Sequence, residues 1–111
     1  MQTNTARIDR VTALTLLITD VELGDDDTAP TGADVALGSS LETETVGSVI
    51  LGATGIATVR TRFGAAIADT FKELGTFNVG TDLLDHIVFS DVVKPVGSEL
   101  VVDVRYEVKN P

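Results

Sequence analysis

No cysteine and no tryptophan occur in this chain of 111 residues, and histidine and tyrosine occur once each. Without cysteine there are no disulfides, no thiolate nucleophile and no Cys-ligated zinc, and the redox compartment is left undetermined. A single histidine, His86, is too few for a His-rich metal site and cannot supply a triad without strong support from its surroundings. Aromatics make up only 5% of the chain, so aliphatic packing must carry its stability. No apolar run approaches the roughly 20 residues of a membrane-spanning helix. The polar start from Met1 to Arg10 lacks the apolar stretch of a secretory signal, so the expectation is a protein not exported by that route, or one already mature. Basic residues are also scarce: eight stand against seventeen acids, for a net charge of −9. Such a surface repels nucleic acid phosphates. Asp exceeds Glu and Arg exceeds Lys, a bias that suits solubility in concentrated salt, where repulsion is screened; an ordinary acidic surface is the equal alternative.

What is present is short alternating strands. Residues 1–10 read as a polar arm, and 11–111 as one domain with an adequate but modest core. A first strand is expected over Val11 to Leu23, followed by a turn from Gly24 to Gly32 and one helical turn over Ala33 to Leu37, capped by Thr31 or followed by the stop signal Gly38. Further strands are expected over Glu44 to Leu51, Gly55 to Phe63, Thr70 to Phe77, Leu83 to Phe89 and Glu99 to Lys109, with hairpins at Gly52-Ala53-Thr54-Gly55 and at Gly80-Thr81. In the last strand Leu100, Val102, Val104, Tyr106 and Val108 share one face, opposite Asp103, Arg105, Glu107 and Lys109. The pattern predicts an all-β fold: an antiparallel β-sandwich, jelly-roll-like or Ig-like, with one short helical turn. Val59, Phe63, Phe71, Phe77, Phe89, Val102, Val104 and Tyr106 are the expected core, and Ala57, Val59, Thr61 and Phe63 face inward on their strand. Arg60 and Arg62 face outward, in reach of Glu42 or Glu44.

Catalytic signatures are missing. None of the serines lies in a G-x-S-x-G elbow, and there is no glycine-rich strand-to-helix loop for phosphate. The acidic turn Asp25-Asp26-Asp27, with Asp20 and Glu22 before it, offers hard oxygen ligands, but three consecutive acids point different ways and the distal Glu of a calcium loop is absent, so a solvated turn is the default. No cofactor is expected. Alternation places Glu73 on the face of Phe71 and Phe77, where a buried acid needs a partner: Arg60, Arg62, a backbone amide or a neighbouring subunit. Gly75 on that face leaves room for close packing or a bulge. Asp85 points to the face opposite His86, which reads as a strand-surface or interface residue.

Several segments follow one another along the chain: Leu23-Gly24, Thr28-Ala29-Pro30-Thr31-Gly32-Ala33-Asp34, Leu41-Glu42, Glu73-Leu74-Gly75-Thr76-Phe77, Leu84 to Phe89, Lys94, and the closing strand Leu100 to Val108. Together they resemble a family of small β-rich virion structural proteins of tailed bacterial and archaeal viruses. His86 stands where that family more often has Arg, and Thr76 where it more often has Leu. The resemblance implies a non-enzymatic, oligomeric virion component on the capsid surface or the tail, with a haloarchaeal tailed virus as one source. Its expected partners are copies of itself and other virion proteins, and a host surface receptor is a further candidate, but neither nucleic acid nor an inserted membrane. Glu73, Arg60, Arg62, Gly75, Phe77 and His86 are the structural or interface candidates. The alternative is a receptor- or carbohydrate-binding module of a viral fibre.

Overall fold

The computed structural model describes residues 17–52, 55–64 and 69–108. The expected arm at 1–10 and most of the first expected strand lie outside them. Among the described residues seven strands form the sandwich: β1 (Asp20–Gly24), β2 (Ser40–Thr45), β3 (Ser48–Leu51), β4 (Ile56–Phe63), β5 (Asp69–Phe77), β6 (Leu83–Lys94) and β7 (Leu100–Glu107). All pairings are antiparallel. One sheet has the order β2-β1-β5-β6 and the other β3-β4-β7.

The strand expected over Glu44 to Leu51 is in fact two strands in different sheets. The chain changes sheet at Val46-Gly47: the Val46 amide bonds to Thr19 O on one side, and the Gly47 amide to Arg60 O on the other, both at 2.9 Å. The expected helical turn over Ala33 to Leu37 does not form either. Asp34 N–H instead closes a β-turn on Thr31 O at 3.2 Å, and the Asp34 carboxylate accepts from the Thr31 amide and hydroxyl. The side chain of Asp34 thus competes successfully with the helical backbone pattern. β3 pairs with β4 and β5 with β6 as the two expected hairpins require, though residues 53 and 54 of the first turn lie outside the described residues. In the second, Thr81 rather than Gly80 takes the left-handed conformation (φ 63°), while the amides of Thr81 and Asp82 bond to the Asn78 carbonyl and side-chain oxygen.

The core lies between the sheets. Val21, Leu23, Phe71 and Leu74 of the four-stranded sheet meet Phe63 and Val104 of the other, and Leu41, Val46, Phe89, Leu100, Val102 and Tyr106 pack around them. Ala57, Val59, Thr61 and Phe63 are wholly buried, as the alternation of β4 requires. At one end Lys94, itself buried, donates to Gly64 O at 2.7 Å and stands 3.5 Å from the buried carboxylate of Glu42. Glu42 therefore faces inward toward Lys94, not outward toward the arginines of β4. Arg60 makes a two-pronged contact with Asp103, its direct cross-strand neighbour on β7, and Arg62 bonds to Glu99 at 2.7 Å.

Among the described residues the two sheets do not close on every side: β6 and β7 are both edge strands there, and between them lies an apolar cleft of about 430 Å³ reaching inward to Leu23, Phe71 and Leu74. Ile87, Val92 and Val101 line its mouth and are about two-fifths exposed (44%, 38% and 42%).

Candidate functional site

The densest polar cluster lies on the outer face of the four-stranded sheet, and an irregularity in β5 puts it there. Phe71 and Leu74 both reach the core, although strict alternation over three positions would send them to opposite faces. The register with β6 breaks between Phe71 and Glu73, and after the break Leu74 and Thr76 face inward while Glu73, Gly75 and Phe77 face outward. Glu73 thus leaves the face of Phe71, contrary to the plain period-2 reading. It becomes completely buried all the same, because the β1–β2 connection, residues 25–39, folds over it.

Glu73 fastens that connection. One carboxylate oxygen, Oε2, accepts from the amides of Asp26 (2.9 Å) and Ser39 (2.8 Å), and Oε1 accepts from the amide of Gly38 (2.9 Å). Both ends of the loop are therefore tied to one side chain. The fourth partner is His86, whose Nε2 lies 2.9 Å from Glu73 Oε1 and whose Nδ1 lies 2.8 Å from Asp34 Oδ2. An imidazole between two carboxylates bonds both only when both its nitrogens carry protons. Burial works against the charge on His86, but the hydrogen bonds to Asp34 and Glu73 outweigh it and hold the pKa above the ordinary histidine value. Burial likewise pushes the Glu73 carboxyl up, and the amides of Ser39, Asp26 and Gly38 with His86 bring it below the usual carboxylate value. Asp34 is lowered by the Thr31 amide first and by His86 second.

The loop also has an apolar anchor. Leu37 is buried against β5 in a slot that exists because residue 75 is glycine: a Cβ there would stand 2.7 Å from Leu37 Cδ2, 3.0 Å from Leu83 Cδ1 and 3.1 Å from Phe77 Cε2. Phe77, expected in the central core, is buried in this smaller outer one. Gly24 plays a matching part at the hinge of the loop, where a Cβ would collide with Ser39 O and stand 2.6 Å from Glu73 Oε2. Gly75→Val is accordingly expected to displace Leu37 and cost about 1–3 kcal/mol, read as a shift in the urea midpoint; an unchanged midpoint would show that the loop is not seated there.

Of the expected site residues, the fold brings Glu73, Gly75, Phe77 and His86 together and sends Arg60 and Arg62 to the outer surface of the other sheet, paired with Asp103 and Glu99. His86 is not a strand-surface residue: its side chain is 10% exposed. Asp85, facing the other way, accepts from the Thr76 hydroxyl (2.8 Å) and the Tyr106 hydroxyl (2.7 Å), and burial together with Asp85 raises the Tyr106 pKa. Sequence reasoning missed Asp26, Gly38 and Ser39, which reach Glu73 through backbone amides that leave no trace in side-chain pattern, and Asp34, whose carboxylate meets His86 only through the path of the loop. Asp26 turns its own carboxylate to the Thr28 amide (2.8 Å), and among the described residues no group of three or more acids or histidines is arranged to hold a metal ion. The cluster fastens the loop, with the Glu73 carboxylate at its centre wholly buried. No protein-family model and no curated protein matches the sequence.

Proposed function

We propose that the chain is a non-enzymatic structural component of a tailed-virus virion, on the capsid surface or attached to the tail, that acts by assembling with copies of itself and with neighbouring virion proteins. The observation that carries this reading is the open side of the sandwich. β6 is a twelve-residue edge strand whose last seven positions before Lys94 are Ile87-Val88-Phe89-Ser90-Asp91-Val92-Val93, with no proline or lysine among them to discourage pairing. Among the described residues β7 forms the corresponding edge of the other sheet, and the apolar cleft lies between the two. A second copy adding its edge here would cover Ile87, Val92 and Val93 and satisfy the exposed backbone groups of β6. The family-like order of segments along the chain supports the virion setting. A carbohydrate- or receptor-binding module would call for exposed aromatic platforms, whereas the exposed large hydrophobics among the described residues are all aliphatic and Tyr106 is engaged with Asp85.

Sedimentation at micromolar concentration is expected to show oligomers, and Val93→Lys, at a position 69% exposed, to shift them toward monomer without loss of fold. The net charge of −9 opposes association, so the oligomer fraction should rise as salt shortens the Debye length from about 10 Å at 0.1 M to about 3 Å at 1 M. A monomer at all salt concentrations, unaffected by capsid or tail proteins, would overturn the reading. Immunolabelling of purified particles tests the virion location directly.

A further inference from the structure

We infer that the β1–β2 loop, residues 25–39, is a pH-responsive strap, held closed on the outer face of the sheet while His86 carries two ring protons and loosened when one is lost. The inference is independent of the virion reading and stands on the geometry of the clasp. His86 is the cationic member that joins Glu73 of β5 to Asp34 of the loop, at 2.9 and 2.8 Å. Once the imidazole is neutral it has one N–H and one lone pair. One of the two carboxylates then faces that lone pair across a hydrogen-bond distance, acceptor against acceptor, in a place with little water.

The groups around His86 make the loss felt on one side only. From the loop, Asp34 bonds to it and Asp26 lies close enough to act on it through its charge. From β5 comes Glu73, and Glu22 of β1 occupies the same outer face across Gly75. On β6 itself Asp85 faces the core side and is engaged with Thr76 and Tyr106. All these groups are acids, so removing the proton from His86 leaves buried Glu73 and Asp34 as like charges on the two sides of the strap. Glu73 then holds the loop through its three amides alone, and the Asp34 turn loses its tie to β6. Opening the strap would uncover Leu37, Phe77 and Leu83.

The direction follows from linkage. His86 has a raised pKa in the closed state, so its contribution is complete below about pH 6.5, the ordinary histidine value, and is lost as pH rises through the raised closed-state value. Glu73, with a lowered pKa, contributes above the ordinary carboxylate range and loses its part as pH falls through the lowered value. The strap is therefore tightest between the two, in mild acid.

Because His86 is the only histidine, its imidazole gives a single titrating signal in the NMR spectrum of the untagged full chain. The midpoint is expected above 6.5. Over the same pH interval the amides of Asp26, Gly38 and Ser39 should lose hydrogen-exchange protection, after correction for intrinsic exchange, by roughly tenfold for each pH unit by which the closed-state value is raised. The core amides of β4 provide the reference and should not change. His86→Gln, which cannot titrate, should abolish the pH dependence of loop protection; if that variant does not fold, the wild-type titration decides alone. A midpoint at or below 6.5, or loop protection that stays flat through the His86 titration, would overturn the proposal.

Discussion

Glu73→Ala is expected to destabilise the protein by about 3–5 kcal/mol, measured as the change in unfolding free energy in urea. The carboxylate is the common acceptor for three loop amides and the counter-charge of His86, and none of its surface meets solvent. Removing it leaves the Asp26, Gly38 and Ser39 donors and an imidazolium without their acceptor, and unsatisfied buried donors cost about 1–3 kcal/mol each before relaxation. Relaxation is available here, because the loop can lift and hydrate its amides, so the individual penalties do not add. Glu73→Gln keeps the shape and one acceptor oxygen but turns an NH₂ group toward donors, and should cost less, about 1–3 kcal/mol. A domain of this size has a total stability of about 5–15 kcal/mol, so the Ala variant would lose a large fraction of it. A loss below about 1 kcal/mol would mean that the loop is not fastened through this side chain.

Phe63→Ala should be nearly as damaging, about 3–5 kcal/mol, and more damaging than Phe77→Ala. Both rings are buried, but in different places. Phe63 is wholly enclosed between the sheets with Val21, Leu23, Phe71, Leu74 and Val104, where two hydrogen-bonded layers cannot move together to fill the space. Phe77 lies on the outer face under the loop, against the slot that holds Leu37 and Leu83, and a loop can settle into a vacated volume more readily than a sheet. About 2–3 kcal/mol is expected there. Equal losses at the two positions, by urea unfolding of both variants, would show that the outer core is as rigid as the inner one.

The strands that were legible in the sequence are those close to a period of two. β4 reads I-A-T-V-R-T-R-F and β7 reads L-V-V-D-V-R-Y-E, broken only by Val101, and in each the inward residues could be named in advance because one face meets the core and the other meets water. β5 defeated that rule. Its sequence F-K-E-L-G-T-F alternates as if Phe71, Glu73 and Phe77 shared a face, but the bulge against β6 shifts the phase after Phe71. A bulge depends on two strands at once, so one strand's pattern cannot announce it. The segment from Glu44 to Leu51 hid a change of sheet for a similar reason: at Val46 and Gly47 one set of hydrogen-bond partners is exchanged for another, which depends on strands far away in sequence.

The candidate site divides along the same line. Sequence alone read His86 as a strand-surface or interface residue, but it marked Glu73 as an acid that would need a partner and Gly75 as a place for close packing or a bulge, and it ruled out disulfides and thiolate chemistry through the absence of cysteine. These are consequences of residue type, which holds whatever the fold. Only the tertiary structure decided that the partner of Glu73 is a set of three loop amides with His86, that the arginines go to Asp103 and Glu99 instead, and that Asp34 and His86 meet across 52 positions of chain. Backbone amides are identical at every residue, and which of them point at a buried carboxylate is fixed by the path of the loop, a property of the folded whole.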